Sequence, residues 1–122
     1  MARARIGDDV GSVAVTAALA DASDARSLAT AVRYLLQLLA ERAPGNTVEV
    51  RVPPYGAVQC IPGPRHTRGT PPNVVEMDAA TWLGVATGRS TWDEAVAAGA
   101  VHASGQRADL AALVPLRVAG VT

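Results

Sequence analysis

The most regular stretch of the chain lies between Ser23 and Arg42. Leu28, Val32, Leu35, Leu36 and Leu39 fall on one helical stripe, and Arg33, Gln37, Glu41 and Arg42 lie largely outside it. Ser23 or Asp24 can accept a hydrogen bond from the first free backbone N–H groups. Pro44-Gly45 ends the run, with glycine serving the left-handed turn that closes many helices. The spacing predicts a helix over 24–43, about 30 Å long at about 1.5 Å per residue, enough to cross one face of a small sheet. Upstream, Val10, Val13, Ala14, Ala17 and Ala18 also recur at helical spacing. Gly11, Val and Thr are weak helix formers, so a short Ala-rich helix behind a basic tail is expected.

At Thr47 the period changes. Thr47, Glu49 and Arg51 alternate with Val48, Val50 and Val52, as in a strand with one wet and one buried face. Pro53-Pro54-Tyr55-Gly56 reads as a turn, and Ala57 to Ile61 as the returning strand of a hairpin. Pro62 to Asn73 holds four prolines and two glycines, which predicts loop. Val74 to Met77 makes a third strand. Asp78 opens a helix that Gly88 closes, and Ser90-Thr91-Trp92-Asp93 has the spacing of a capping box before a short helix ending at Gly99. Val101-His102-Ala103 reads as a short strand, and Asp109 to Leu116 as a last helical turn or two. No internal repeat or domain boundary interrupts this α-α-β-β-β-α-α-β-α order, so residues 1–122 read as one domain, with 1–23 a tail plus short helix and 24–116 the core.

Composition narrows the chemistry. The 122 residues carry 11 Lys+Arg and 11 Asp+Glu, and every basic residue is arginine. Without lysine there is no Schiff base and no phosphate-loop lysine. Zero formal net charge argues against nucleic-acid binding by neutralisation of many phosphates. A single cysteine rules out an intrachain disulfide and points to a reducing, cytoplasmic setting. No apolar run approaches the roughly 20 residues of a membrane-spanning helix, so no stable membrane insertion is expected. Met1-Ala2-Arg3-Ala4-Arg5 is basic, but Asp8 and Asp9 stand where a secretory leader needs its apolar region.

From Val74 onward a larger pattern emerges. A strand is followed by an acidic helix cap, Thr87-Gly88, Ser90-Thr91-Trp92-Asp93-Glu94-Ala95, Gly99, Val101-x-Ala103-Ser104-Gly105, and Leu110, Leu113 and Leu116. This resembles the sterol carrier protein domain family. Val48 to Gln59 and His66 to Asn73 look like its bacterial single-domain branch, and the likeness covers about residues 25–116. The resemblance implies an α/β (α+β) fold in which a mostly antiparallel sheet of four to five strands is covered on one face by helices. It also implies an apolar tunnel between the layers that holds acyl chains or a sterol. The residues themselves show four convincing strands, so a fifth lies in the loop from Pro62 to Asn73 or is missing.

The candidate tunnel wall is Leu28, Val32, Leu35, Leu36 and Leu39 with Val50, Trp82, Leu113 and Leu116; the plain alternative is a packed core. Trp82 and Trp92 either gate such a tunnel or fill that core. Arg65 and Arg68 lie in the one basic stretch and either bind an anionic head group or order their proline-rich loop. His66, His102 and Cys60 have no metal-ligand spacing, and a lone cysteine in a strand reads as a small apolar residue. His102 alternates with Val101 and Ala103 and should face solvent. Asp8-Asp9 and Asp93-Glu94 suit helix starts. No catalytic group, metal or cofactor is indicated, and the resemblance implies a non-enzymatic lipid- or sterol-binding protein. The competing reading is an interaction or dimerisation module, a homodimer included, of the kind fused to thiol-dependent isomerases.

Overall fold

A computed structural model describes residues 4–63 and 72–122. Helices α1 (Asp8–Ala20) and α2 (Ala25–Arg42) lead into strands β1 (Val48–Val52), β2 (Gly56–Cys60) and β3 (Asn73–Met77). Helices α3 (Ala79–Thr87) and α4 (Trp92–Ala97) and strand β4 (Val101–Ser104) follow. The four strands of the sheet lie in the order β2-β1-β3-β4. β1 pairs antiparallel with β2 and β3 with β4, while β1 and β3 run parallel. Helices cover one face of this mostly antiparallel sheet, as the α+β expectation requires. The stretch in which a fifth strand was sought lies mostly outside the described residues. No helix among those described is long and apolar enough to cross a membrane.

Alternation decides which face of the sheet is dry. Val48, Val50, Val52, Cys60, Val75, Met77 and Val101 are buried beneath the helices. Glu49 and Arg51 share the opposite face, joined at 2.7 Å from Arg51 Nε to Glu49 Oε1, and His102 on β4 is exposed. At the start of α2 it is Asp24 that caps, its carboxylate accepting from Ser27 N–H at 3.2 Å. The helix stops at Arg42, with the Ala43 N–H bonded to the Leu39 carbonyl. Gly45 therefore does not close the helix through a left-handed turn. It lies so near the Ile61 carbonyl that a Cβ would collide with it.

Three further expectations are corrected. The buried face of α1 is Gly11, Ala14, Val15 and Ala18, while Val10 and Val13 stay 61% and 70% exposed. Gly11 sits directly on the Tyr34 ring, where any Cβ would clash. Close approach to α2, rather than side-chain hydrophobicity, selects the face of this Ala- and Val-rich helix. The capping box of α4 is Thr91 with Glu94, not Ser90 with Asp93. Ser90 still belongs to the end of α3, its N–H donating to the Gly84 carbonyl at 3.2 Å, so the cap begins one residue later. Asp109 to Leu116 forms no helix. Asp109 binds the Ala111 N–H at 2.8 Å in a local turn, and Leu113 N–H reaches the Leu110 carbonyl at 2.9 Å. Pro115 lacks an N–H and disfavours helical backbone at Val114. Leu116 instead donates its N–H to the Ala86 carbonyl at 2.8 Å, tying the segment to α3.

Candidate functional site

The apolar stripe of α2 is drawn into one cluster with the sheet. Val32, Leu35, Leu39, Val50 and Trp82 show no exposure, and Leu36 and Leu116 show 2%. Leu28 and Leu113 are partly buried against the same cluster. The Trp82 indole N–H donates to the Val32 carbonyl at 3.3 Å, so this ring lies flush against α2. Trp92, the first residue of α4, is buried as well. Of the nine apolar positions singled out in the sequence, Leu36 also lines open space at the surface.

That space is a groove of about 530 Å³ at the edge of the seam between the helical layer and the sheet. Leu36, Gln37, Ala40 and Glu41 of α2 form its floor, and Arg33 lies one turn earlier on the same side. Tyr55 through Val58 form the wall on the hairpin side. Gly56 faces the helix with room for a side chain's first carbon: a Cβ there would make ordinary contacts, 3.6 Å from Leu36 Cδ1 and 3.8 Å from Arg33 Cγ. The other wall is Ala4 and Ile6, from the segment that precedes α1. β2 is an edge strand, and among the described residues no further strand pairs with it at this side.

Among the described residues, Arg33 is the groove's cation without an ion pair. Arg33 Nε donates to the Tyr55 carbonyl at 2.9 Å, and among the described residues no carboxylate pairs with its guanidinium. Glu41 is spent on Arg5, at 2.6 Å to Nε and 2.9 Å to Nη2, a contact that holds its carboxyl below the usual carboxylate range. Asp8 is likewise held low, first by the Tyr34 hydroxyl at 2.7 Å and then by Arg5 at 3.2 Å. Arg65, Arg68 and His66 lie outside the described residues. Sequence reading passed over Ile6, Arg33, Gln37, Ala40, Tyr55 and Val58. The available signal was the row Arg33, Gln37, Glu41 at every fourth position beside the stripe, and the isolated apolar Ile6 in a basic tail.

Cys60 has no exposed surface, and burial pushes its thiol up to about 11. No group of three or more His, Cys, Asp or Glu that could hold a metal occurs among the described residues. Since the thiolate is the reactive form, a displacement of about two pKa units predicts roughly hundredfold slower alkylation at pH 8 than for an ordinary thiol. Iodoacetamide labelling followed by mass spectrometry checks this: modification should be slow in the folded protein and rapid in denaturant.

No curated protein matches the chain. The family model described as "Bacterial SCP ortholog" matches residues 24–116. The match starts at the cap of α2 and ends at Leu116, leaving α1 and the groove wall at Ala4 and Ile6 outside it. With the helix-covered sheet and a match over most of its length, the chain belongs to the bacterial branch of the sterol carrier protein family.

Proposed function

We propose that the protein binds a lipid-like molecule non-covalently and without chemistry, with the apolar part in the groove between α2 and the β1–β2 hairpin. The observation that carries this reading is a groove of about 530 Å³ at the layer seam, bordered by Ile6, Leu36, Ala40, Tyr55 and Val58. Its size falls among those of small-molecule sites, roughly 300–1,000 Å³. The tight cluster behind it provides a rigid floor, because interiors packed near crystal density do not deform to admit a guest. Arg33 supplies a cation for a carboxylate or phosphate head group, the role first considered for Arg65 and Arg68.

Ala40 is half-buried at the groove floor, so Ala40→Trp fills the space without entering the core. Titration with the fluorescent fatty acid cis-parinaric acid should show saturable binding by the wild type. Ala40→Trp should bind at least roughly tenfold more weakly, about 1.4 kcal/mol, at an unchanged melting temperature. Equal binding by both proteins, or none by the wild type, overturns the reading.

A further inference from the structure

Ala4, Ile6 and Arg33 border the groove and also a second hollow of about 500 Å³, whose other residues are Gly7, Val10 and Thr30. These three side chains form a ridge between two depressions that follow α2. The exposed Val10 belongs to the second of them. One half of the ridge is the segment from Ala4 to Gly7, which is neither helix nor strand and pairs with no strand among the described residues. Side chains hold it instead. The Ile6 N–H donates to Gln37 Oε1 at 2.8 Å, and Gln37 Nε2 donates to the Ile6 carbonyl at 2.9 Å. Arg5 adds its two contacts to Glu41 and one to Asp8. Each of these bonds lies at or near the surface and contributes modestly, so the strap can lift while the core stays packed.

We propose that Ile6 is the stop that sets the length of apolar chain the groove accepts, and that Gln37 is the residue that positions it. This rests on the groove being the lipid site. The Arg33 Nε–H donates to the Tyr55 carbonyl, so a carboxylate head on this guanidinium sits at the hairpin side. The tail then points toward Ile6. With the strap in place the tail ends against the Ile6 side chain. With that side chain trimmed or the strap released, the two hollows join and a longer tail runs on past Val10.

The test is a series of straight-chain acids from octanoate through laurate and palmitate to stearate. They are titrated by displacement of cis-parinaric acid from the wild type, Ile6→Ala and Gln37→Ala. Wild-type affinity should rise about fourfold for each added methylene that becomes buried and then level off. Both variants should level off at a longer acid. In the ligand-free protein, amide hydrogen exchange at Ile6 should be roughly tenfold faster in Gln37→Ala. The same levelling point in wild type and Ile6→Ala, with binding retained, overturns the stop and leaves the groove reading standing. An Ile6 amide that exchanges equally fast in wild type and Gln37→Ala overturns the role of Gln37. Absence of acid binding by the wild type overturns the stop and the groove together.

Discussion

Leu35→Asp should leave the chain without a cooperative thermal transition. Leu35 has no exposed surface and lies in the single cluster that joins α2 to the sheet. Losing a buried leucine costs about 2–5 kcal/mol. A carboxylate placed there, with no cation or donor to meet it, costs several more, or else takes up a proton and remains an unsatisfied polar group. The sum approaches the whole stability of an ordinary domain, about 5–15 kcal/mol. Circular dichroism on heating would read this as a sloping trace without a midpoint, and the protein should partition into the insoluble fraction on expression. Leu28→Asp, at a partly buried position of the same stripe, should keep its transition. A sharp unfolding curve from Leu35→Asp would mean that the layers are not packed as described. The same burial makes Leu35 a poor probe of ligand binding, since binding and folding would be lost together.

Trp82→Ala should lower stability by about 3–5 kcal/mol, the range for removing a large buried aromatic. The ring is fully buried between α3 and α2, and its N–H has its partner in the Val32 carbonyl. Removing it empties the junction where two helices and the sheet meet. For a domain near this size each kcal/mol shifts the midpoint by about 4 °C, so a fall of more than about 10 °C is expected in differential scanning calorimetry. Urea denaturation should show a lower midpoint at an unchanged slope. A fall below about 1 kcal/mol would show that the surroundings collapse into the void. The groove does not include Trp82, so parinarate binding measured well below the new midpoint should persist. That separates the scaffold from the site.

Much of the architecture was legible because its causes are local. A stripe at helical spacing together with Asp24 marks α2, and alternating valines mark β1. The acidic pairs Asp8-Asp9 and Asp93-Glu94 do fall in the first turns of α1 and α4. The pattern from Val74 to Leu116, with the hairpin segment, was enough to suggest the family whose match begins at residue 24 and ends at residue 116. Local reasoning failed where two distant segments compete for the same backbone. The leucines after Asp109 have helical spacing, yet Leu116 finds its partner at Ala86, and Pro115 prevents a helix from forming through it. Ser90 has the cap spacing, yet its N–H is already used by α3.

The amino-acid sequence by itself determined α1 to α4, β1 to β4, the wet and dry faces of β1, and the family, because periodicity, caps and turn residues act over a few positions. Only the tertiary structure decided which face of α1 is buried, since that depends on Gly11 meeting the Tyr34 ring. It also decided that the α2 leucines close into a cluster while an open groove remains at the β2 edge. The Ile6–Gln37 pairing that walls this groove joins residues 31 positions apart. No local pattern encodes such a contact, because it forms only when α1 has folded back along α2 and brought the segment ahead of it over the seam.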